Sequence, residues 1–125
     1  GRITVNDVPL DETSYLYTDP DKVQADPSKI RFDVVVPDRR IFVLGDNRAA
    51  SRDSRCHLND TGDGQQKGEN AFIPLDLVVG RAIAVAWPVS QAHRLPIPAT
   101  YAGVPAAVQP APARPVVHAG SDASC

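Results

Sequence analysis

Seven of the chain's twelve prolines, at positions 88, 96, 98, 105, 110, 112 and 115, are crowded into its last third. Each locks φ and removes a backbone donor, so no helix runs through that stretch, and a helical membrane anchor there is excluded. The intervening residues are mostly Ala, Val and Thr, with no periodic apolar face to offset the entropy of ordering. Residues from about 92 onward are therefore expected to be disordered or polyproline-like. Two units follow: residues 1–88, which must supply the fold, and residues 89–125, a Pro/Ala-rich tail.

The first unit reads as β. Arg2 to Val5 alternate polar and apolar, and Val8-Pro9-Leu10 follow Asn6-Asp7, which tolerate the positive φ of a tight hairpin turn. Residues 11–28 are acidic, broken by Pro20 and Pro27, and carry Tyr15-Leu16-Tyr17; a surface loop pinned by aromatics is expected. Ile30, Phe32, Val34 and Val36 alternate into a half-buried strand closed by Pro37. Residues 40–44 are a second strand, expected to pair antiparallel with the first through Pro37-Asp38-Arg39. Residues 59–70 are polar and glycine-rich, a mobile excursion. Against the calcium-loop pattern they place Asn70 where the bidentate Glu belongs, so that reading fails. Residues 77–87 form the longest apolar stretch, rich in β-branched residues and ended by Pro88, and are expected to be a strand inside a sheet. Trp87 is expected at or near the core.

At 125 residues and a formal net charge of −2 the chain has room for one domain at most. It has no basic stripe and few aromatics, which gives nucleic-acid binding no support. No apolar run approaches the eighteen or so residues needed to span a bilayer. Gly1-Arg2-Ile3-Thr4-Val5 has neither initiator Met nor signal peptide and reads like the interior of a protein, so a processed chain or a fragment is expected. Cys56 and Cys125 make no disulfide framework, and a fixed bridge between them is not expected. Cys56-His57 lack further ligands at zinc spacing, so no metal site is assigned. No cofactor is implied.

The chemistry concentrates in residues 45–55, where an apolar strand ends at Gly45 and Asp46, Asn47, Arg48, Ser51, Arg52, Asp53, Ser54 and Arg55 follow. Singly, each has an ordinary explanation: a turn glycine, turn-forming Asp46 and Asn47, a surface ion pair between Asp53 and Arg55. Gly45 either adopts a dihedral that other residues avoid or lets another group approach the backbone. His57, His93 and His118 as bases, with Ser51, Ser54 and Cys56 as nucleophiles, do not make a credible independent triad.

The ordered set G-D-N-R-x-x-S-x-D-S-R resembles the box near the C-terminal end of type I signal peptidases, membrane-bound serine endopeptidases that remove signal peptides from exported proteins. Val78-Val79-Gly80-Arg81-Ala82, with the run to Trp87-Pro88, is similar to the last box of that family. Residues 1–12 resemble its V-N-G-x-x-L-x-E segment, with Asp7 in place of the glycine. Ile73-Pro74 fits the turn leading into the last strand. The Pro-rich extension looks like that of actinobacterial members.

The resemblance implies a partial antiparallel β domain of the signal-peptidase type and a Ser–Lys dyad, in which a neutral lysine amine takes the proton of the serine nucleophile. Such a lysine is kept neutral by burial. Ser51 corresponds to the serine whose hydroxyl bonds that amine, and Gly45 would let the lysine chain pack on backbone. Asp53 and Arg55 correspond to an ion pair fixing the loop, and Asp46 and Asn47 hold its turn. The family's S-M-x-P-T and K-R-x-x-G-x-P-G-D segments, which carry nucleophile and base, are absent, so no catalytic residue is assigned here. The resemblance implies preprotein signal peptides as substrates and an extracytoplasmic place at the plasma membrane, reached through an upstream anchor. The chain alone is expected to be inactive, thin-cored and poorly stable. The alternatives are a non-catalytic β interaction domain derived from such a protease, and a fragment of a self-cleaving repressor-type Ser–Lys protease.

Overall fold

The computed structural model describes residues 1–121 and 123. Eight short strands make four two-stranded antiparallel sheets, joined by loops and 3-10 turns, and the described residues contain no α-helix. The architecture is mainly β, as the alternation and proline content imply.

β1 (Thr4–Val5) and β2 (Val8–Pro9) form the expected hairpin, with Val5 opposite Val8. Asn6 (φ 49°) and Asp7 (φ 66°) take the two left-handed turn positions. Short polar side chains bear that conformation better than most, which is why this dipeptide turns the chain. β3 (Phe32–Val35) lies where the alternation puts it, with Phe32 and Val34 facing inward. Its partner differs from the expectation. β3 pairs with β8 (Val116–Ala119), whereas β4 (Arg40–Ile41) pairs with β5 (Ile73–Pro74). Arg39, at φ 54°, turns the chain between β3 and β4, and the two enter different sheets. Ile73-Pro74 is thus a strand rather than a turn.

The tail also departs from its expected disorder. Val116–Ala119 runs antiparallel to β3 in the register Phe32–Ala119, Asp33–His118, Val34–Val117 and Val35–Val116. Val117 and Ala119 face the core, while Val116 and His118 face out. A strand of period two needs only alternate apolar residues, and the edge of β3 supplies the backbone partners that the tail cannot find within itself. Upstream of β8, the N–H of Asp38 donates to the Pro112 carbonyl at 2.9 Å, and the Gln66 amide donates to that of Pro115 at 3.2 Å.

The core is small. Leu58, Ala71, Phe72 and Ala123 are buried, with Phe32, Phe42 and Val117 among the residues packed around them. Phe32, Phe42 and Phe72 form a row of tilted rings at 5.4 and 5.5 Å. The apolar stretch 77–87 does not join it. Only Ala84–Val85 (β6) is strand, paired with His93–Arg94 (β7). Leu77, Val79 and Ile83 are exposed, and Trp87 is 80% exposed, so neither the expected buried strand nor a core tryptophan is found. The accessible surface of 9140 Å² exceeds the roughly 6,500 Å² of a compact monomer of this mass. Cys56 is disulfide-bonded; the expectation that no fixed bridge joins it to Cys125 falls on a residue outside the described ones.

Gly68 and Gly64 share a left-handed backbone, at φ 75° and 74°, but not their surroundings. A Cβ on Gly68 would stand 2.8 Å from the Leu58 carbonyl oxygen and 3.1 Å from Val117, whereas one on Gly64 meets nothing. Gly64→Ala should cost about 1–2 kcal/mol, the backbone penalty alone, and Gly68→Ala about 1–3 kcal/mol more, because the Leu58 carbonyl and Val117 of β8 must both give way. Urea unfolding of the two variants measures the difference; equal midpoints would show that neither the Leu58 carbonyl nor β8 leans on residue 68.

Candidate active site

Residues 45–55 fold back on themselves around one carboxylate. Asp53 Oδ2 accepts the Gly45 N–H at 2.9 Å, and the Arg55 side chain clamps both carboxylate oxygens, at 2.8 Å through Nε and 2.7 Å through Nη2. The Arg55 N–H adds a bond to Oδ1 at 3.2 Å, which makes Asp53 the N-cap of the 3-10 turn Ser54–His57. Two of these donors are the paired N–H groups of a guanidinium, whose fork matches a carboxylate. Burial works against the Asp53 charge, but the bonds from Arg55 and Gly45 outweigh it and hold its pKa below the usual carboxylate range. The pair is buried, not the surface contact that the isolated residues suggested.

A second guanidinium closes the other side. Arg48 makes a two-pronged contact with Glu12, at 2.5 and 3.2 Å, and donates to the Gly45 carbonyl through Nε at 3.0 Å and to the Pro27 carbonyl at 2.6 Å. Arg55 Nη2 in turn donates to the Arg48 carbonyl at 2.8 Å. Both N–H and C=O of Gly45 are therefore fixed by side chains. Asp46 caps the Asn47 N–H at 2.9 Å, the Asn47 carbonyl accepts from Ala50, and the Asp46 carbonyl accepts from Tyr17.

This lattice presents Ser51 to the Gly45 backbone. A Cβ built on Gly45 would lie 2.1 Å from Ser51 Oγ and 2.5 Å from Ser51 Cβ, so no residue with a side chain fits. Gly45 is a close-approach glycine; its φ is not left-handed. The Ser51 hydroxyl makes no hydrogen bond to any described residue. It lines a cavity of about 250 Å³ together with Asp26, Lys29, Ile30, Arg48 and Arg55. Ser54, by contrast, is committed to structure, since its Oγ accepts the Val43 N–H at 2.9 Å and its own N–H donates to the Val43 carbonyl. His57 Nδ1 lies 2.7 Å from the Asp60 carboxylate, outside the Ser51 cavity.

The six residues singled out in the sequence, Gly45, Asp46, Asn47, Ser51, Asp53 and Arg55, thus share one loop. Arg48, Glu12 and Lys29 were not singled out. Arg48 lies inside the box and Glu12 ends the L-x-E segment, so a charge pair between two matched segments was the available signal. Nothing in the sequence placed Lys29 beside Ser51.

The chain matches the family model described as signal peptidase, peptidase S26, over residues 1–87. The chain belongs to the signal peptidase family. Among its relatives, the signal peptidase I of Mycobacterium tuberculosis is 38% identical over 97 residues, which are 71% of this chain and 31% of that protein. The signal peptidase I of Leptolyngbya laminosa is 33% identical over 101 residues, 81% of this chain and 39% of that protein. A probable signal peptidase I of Mycobacterium leprae is 39% identical over 67 residues, 46% of this chain and 22% of that protein. The chain spans about a third of the length of the first two relatives. No solved structure matches it.

The lowered pKa of Asp53 gives a signed expectation. A carboxyl group depressed in the folded state contributes stability above its unfolded value, near 3.9, and loses it as pH falls through the native value. Asp53→Asn should lose about 3 kcal/mol at neutral pH, because Arg55 and the Gly45 N–H lose a buried charged partner. Its urea midpoint should also fall less steeply on acidification below about pH 4 than that of the wild type. Parallel acid profiles would show that the Asp53 charge does not support the loop.

Proposed function

We propose that this chain is the C-terminal part of a type I signal peptidase catalytic domain, residues 1–88, followed by an appended tail. In that reading it is the wall that holds a serine–lysine dyad rather than the dyad itself. The observation that supports it most directly is the packing of Ser51 on Gly45, with its hydroxyl free to bond and turned to a cavity. A general base needs a partner that orients it without charging it. A hydroxyl accepts a hydrogen bond from a neutral amine, whereas a carboxylate in the same place would favour the ammonium and spoil the base.

The division of labour is then physical. Ser51 aligns the amine of a lysine supplied from upstream, and Gly45 leaves room for both. Asp53, Arg55, Arg48 and Glu12 fix the loop while neutralising one another, so their charges add little net field at the amine. Asp46 and Asn47 hold the turn that places Ser51. The substrates are signal peptides of exported preproteins, and the site lies outside the plasma membrane, carried there by an upstream anchor. No described helix is long and apolar enough to cross a membrane.

Purified residues 1–125 should not cleave a signal-peptide substrate, and turnover by them would refute the division. In the protein extended upstream to include the serine and lysine segments, Ser51→Ala should lower kcat by about a hundredfold through misalignment of the base. It should do so with an unchanged unfolding midpoint. Full activity in Ser51→Ala would remove the role assigned to that hydroxyl.

A further inference from the structure

The Pro/Ala-rich segment beyond Pro88 touches the machinery of the loop at a distance. Tyr101, in the 3-10 turn Ala99–Gly103, stacks on Tyr15 with centroids 6.2 Å apart and planes 18° from parallel. Its hydroxyl donates to the Tyr15 oxygen at 3.1 Å, and the Tyr15 hydroxyl donates to Glu12 Oε1 at 2.9 Å. Glu12 Oε1 is also the oxygen that accepts from Arg48 Nη2, and Arg48 Nε holds the Gly45 carbonyl. An unbroken hydrogen-bonded line therefore runs from the tail to the residue on which Ser51 is packed. Two bonds fasten the same stretch beside it: the Asp11 N–H donates to Thr100 Oγ1, and the Asn6 amide to the Pro105 carbonyl, both at 2.8 Å.

The far end of the segment is fastened independently, by β8 on β3 and by the Asn59 amide, which donates to the Gly120 carbonyl at 2.9 Å. We propose that residues 99–119 are a strap that sets the shape of the 45–55 loop, with Tyr101 as a positioning residue acting through Tyr15, Glu12 and Arg48. Two features make the coupling effective. Glu12 and Arg48 are both more than nine-tenths buried, and a buried pair is stable only when its remaining hydrogen-bonding capacity is used. A hydroxyl that receives a hydrogen bond also donates a stronger one, so Tyr101 strengthens the bond from Tyr15 to Glu12. Burial, then the bonds to Tyr101 and Glu12, hold the Tyr15 phenol protonated well above the usual tyrosine range.

The ordering of the loop stands apart from the protease reading; only its effect on catalysis rests on that reading. Amide hydrogen exchange on the 125-residue chain tests the first part. Tyr101→Ala should speed exchange at Gly45, Ala50 and Tyr17, the amides bonded within and to the loop, by about fivefold or more. The amides of β3 should stay at wild-type rates. Tyr101→Phe, which keeps the ring on Tyr15 but not the donated proton, should show a smaller rise at the same amides. Wild-type exchange of the loop in both variants would overturn the strap. A rise in Tyr101→Ala fully rescued by Tyr101→Phe would overturn the hydrogen-bonded line. In the upstream-extended protein, Tyr101→Phe should lower kcat with KM unchanged. Faster loop exchange with kcat intact would uphold the strap and count against the loop's role in the protease.

Discussion

The carboxylate of Asp53 is the point from which the rest of the site is hung. It joins the N–H of Gly45, four residues beyond the end of β4, to the side chain and N–H of Arg55, at the start of the 3-10 turn. Asp53 lies eight positions after Gly45 in sequence, so a single acceptor closes the loop that carries Ser51. Buried charge is a poor source of net stability, because desolvation consumes most of the attraction. What it supplies here is geometry: a forked donor and a two-oxygen acceptor admit few arrangements. The loop has little apolar content with which to fix itself otherwise.

That dependence on polar contacts follows from a shortage of apolar burial elsewhere. The core is a small cluster of Leu58, Ala71, Phe72 and Ala123 with the three-phenylalanine row packed through it. Leu77, Val79, Ile83 and Trp87 face solvent. The chain spans about a third of the length of the relatives described above, and its large accessible surface is of the kind expected where part of a domain is seen without its neighbours. Within these limits the tail adds what the core lacks. It covers the edge of β3 and inserts Val117 against Gly68.

What was legible in the sequence was local. Asn6-Asp7 announced its turn because two consecutive left-handed positions leave few residue choices, and residues 30–36 announced a strand through period two. The ordered polar set of 45–55 announced a shared site, and the structure does bring its members together around Asp53. The illegible parts were pairings. β3 finds its partner more than eighty residues away, and nothing about Val116 or Val117 distinguishes them from the other valines of the tail. Composition states what a segment such as 77–87 could be buried against, but not whether that surface is present. The disulfide at Cys56 was illegible for the same reason: one cysteine in a loop carries no sign of what will approach it.

The two ion pairs also bear on why this loop suits a lysine base if the protease reading holds. Each of its buried carboxylates is matched by a guanidinium held at hydrogen-bonding distance, Asp53 by Arg55 and Glu12 by Arg48. A free carboxylate beside the amine would raise the amine's pKa, and a free guanidinium would lower it while competing for the substrate carbonyl. Pairing them cancels both effects to first order for these four residues. The hydroxyl of Ser51 is then the polar group the loop offers from within its own lattice, and it is neutral. A loop built from an apolar lattice would desolvate the amine as well, but it could not fix both the N–H and the C=O of a glycine that must be free of any side chain. Rigid placement of Ser51 and mutual neutralisation of the charges that place it are two requirements, and crossed guanidinium–carboxylate pairs meet both.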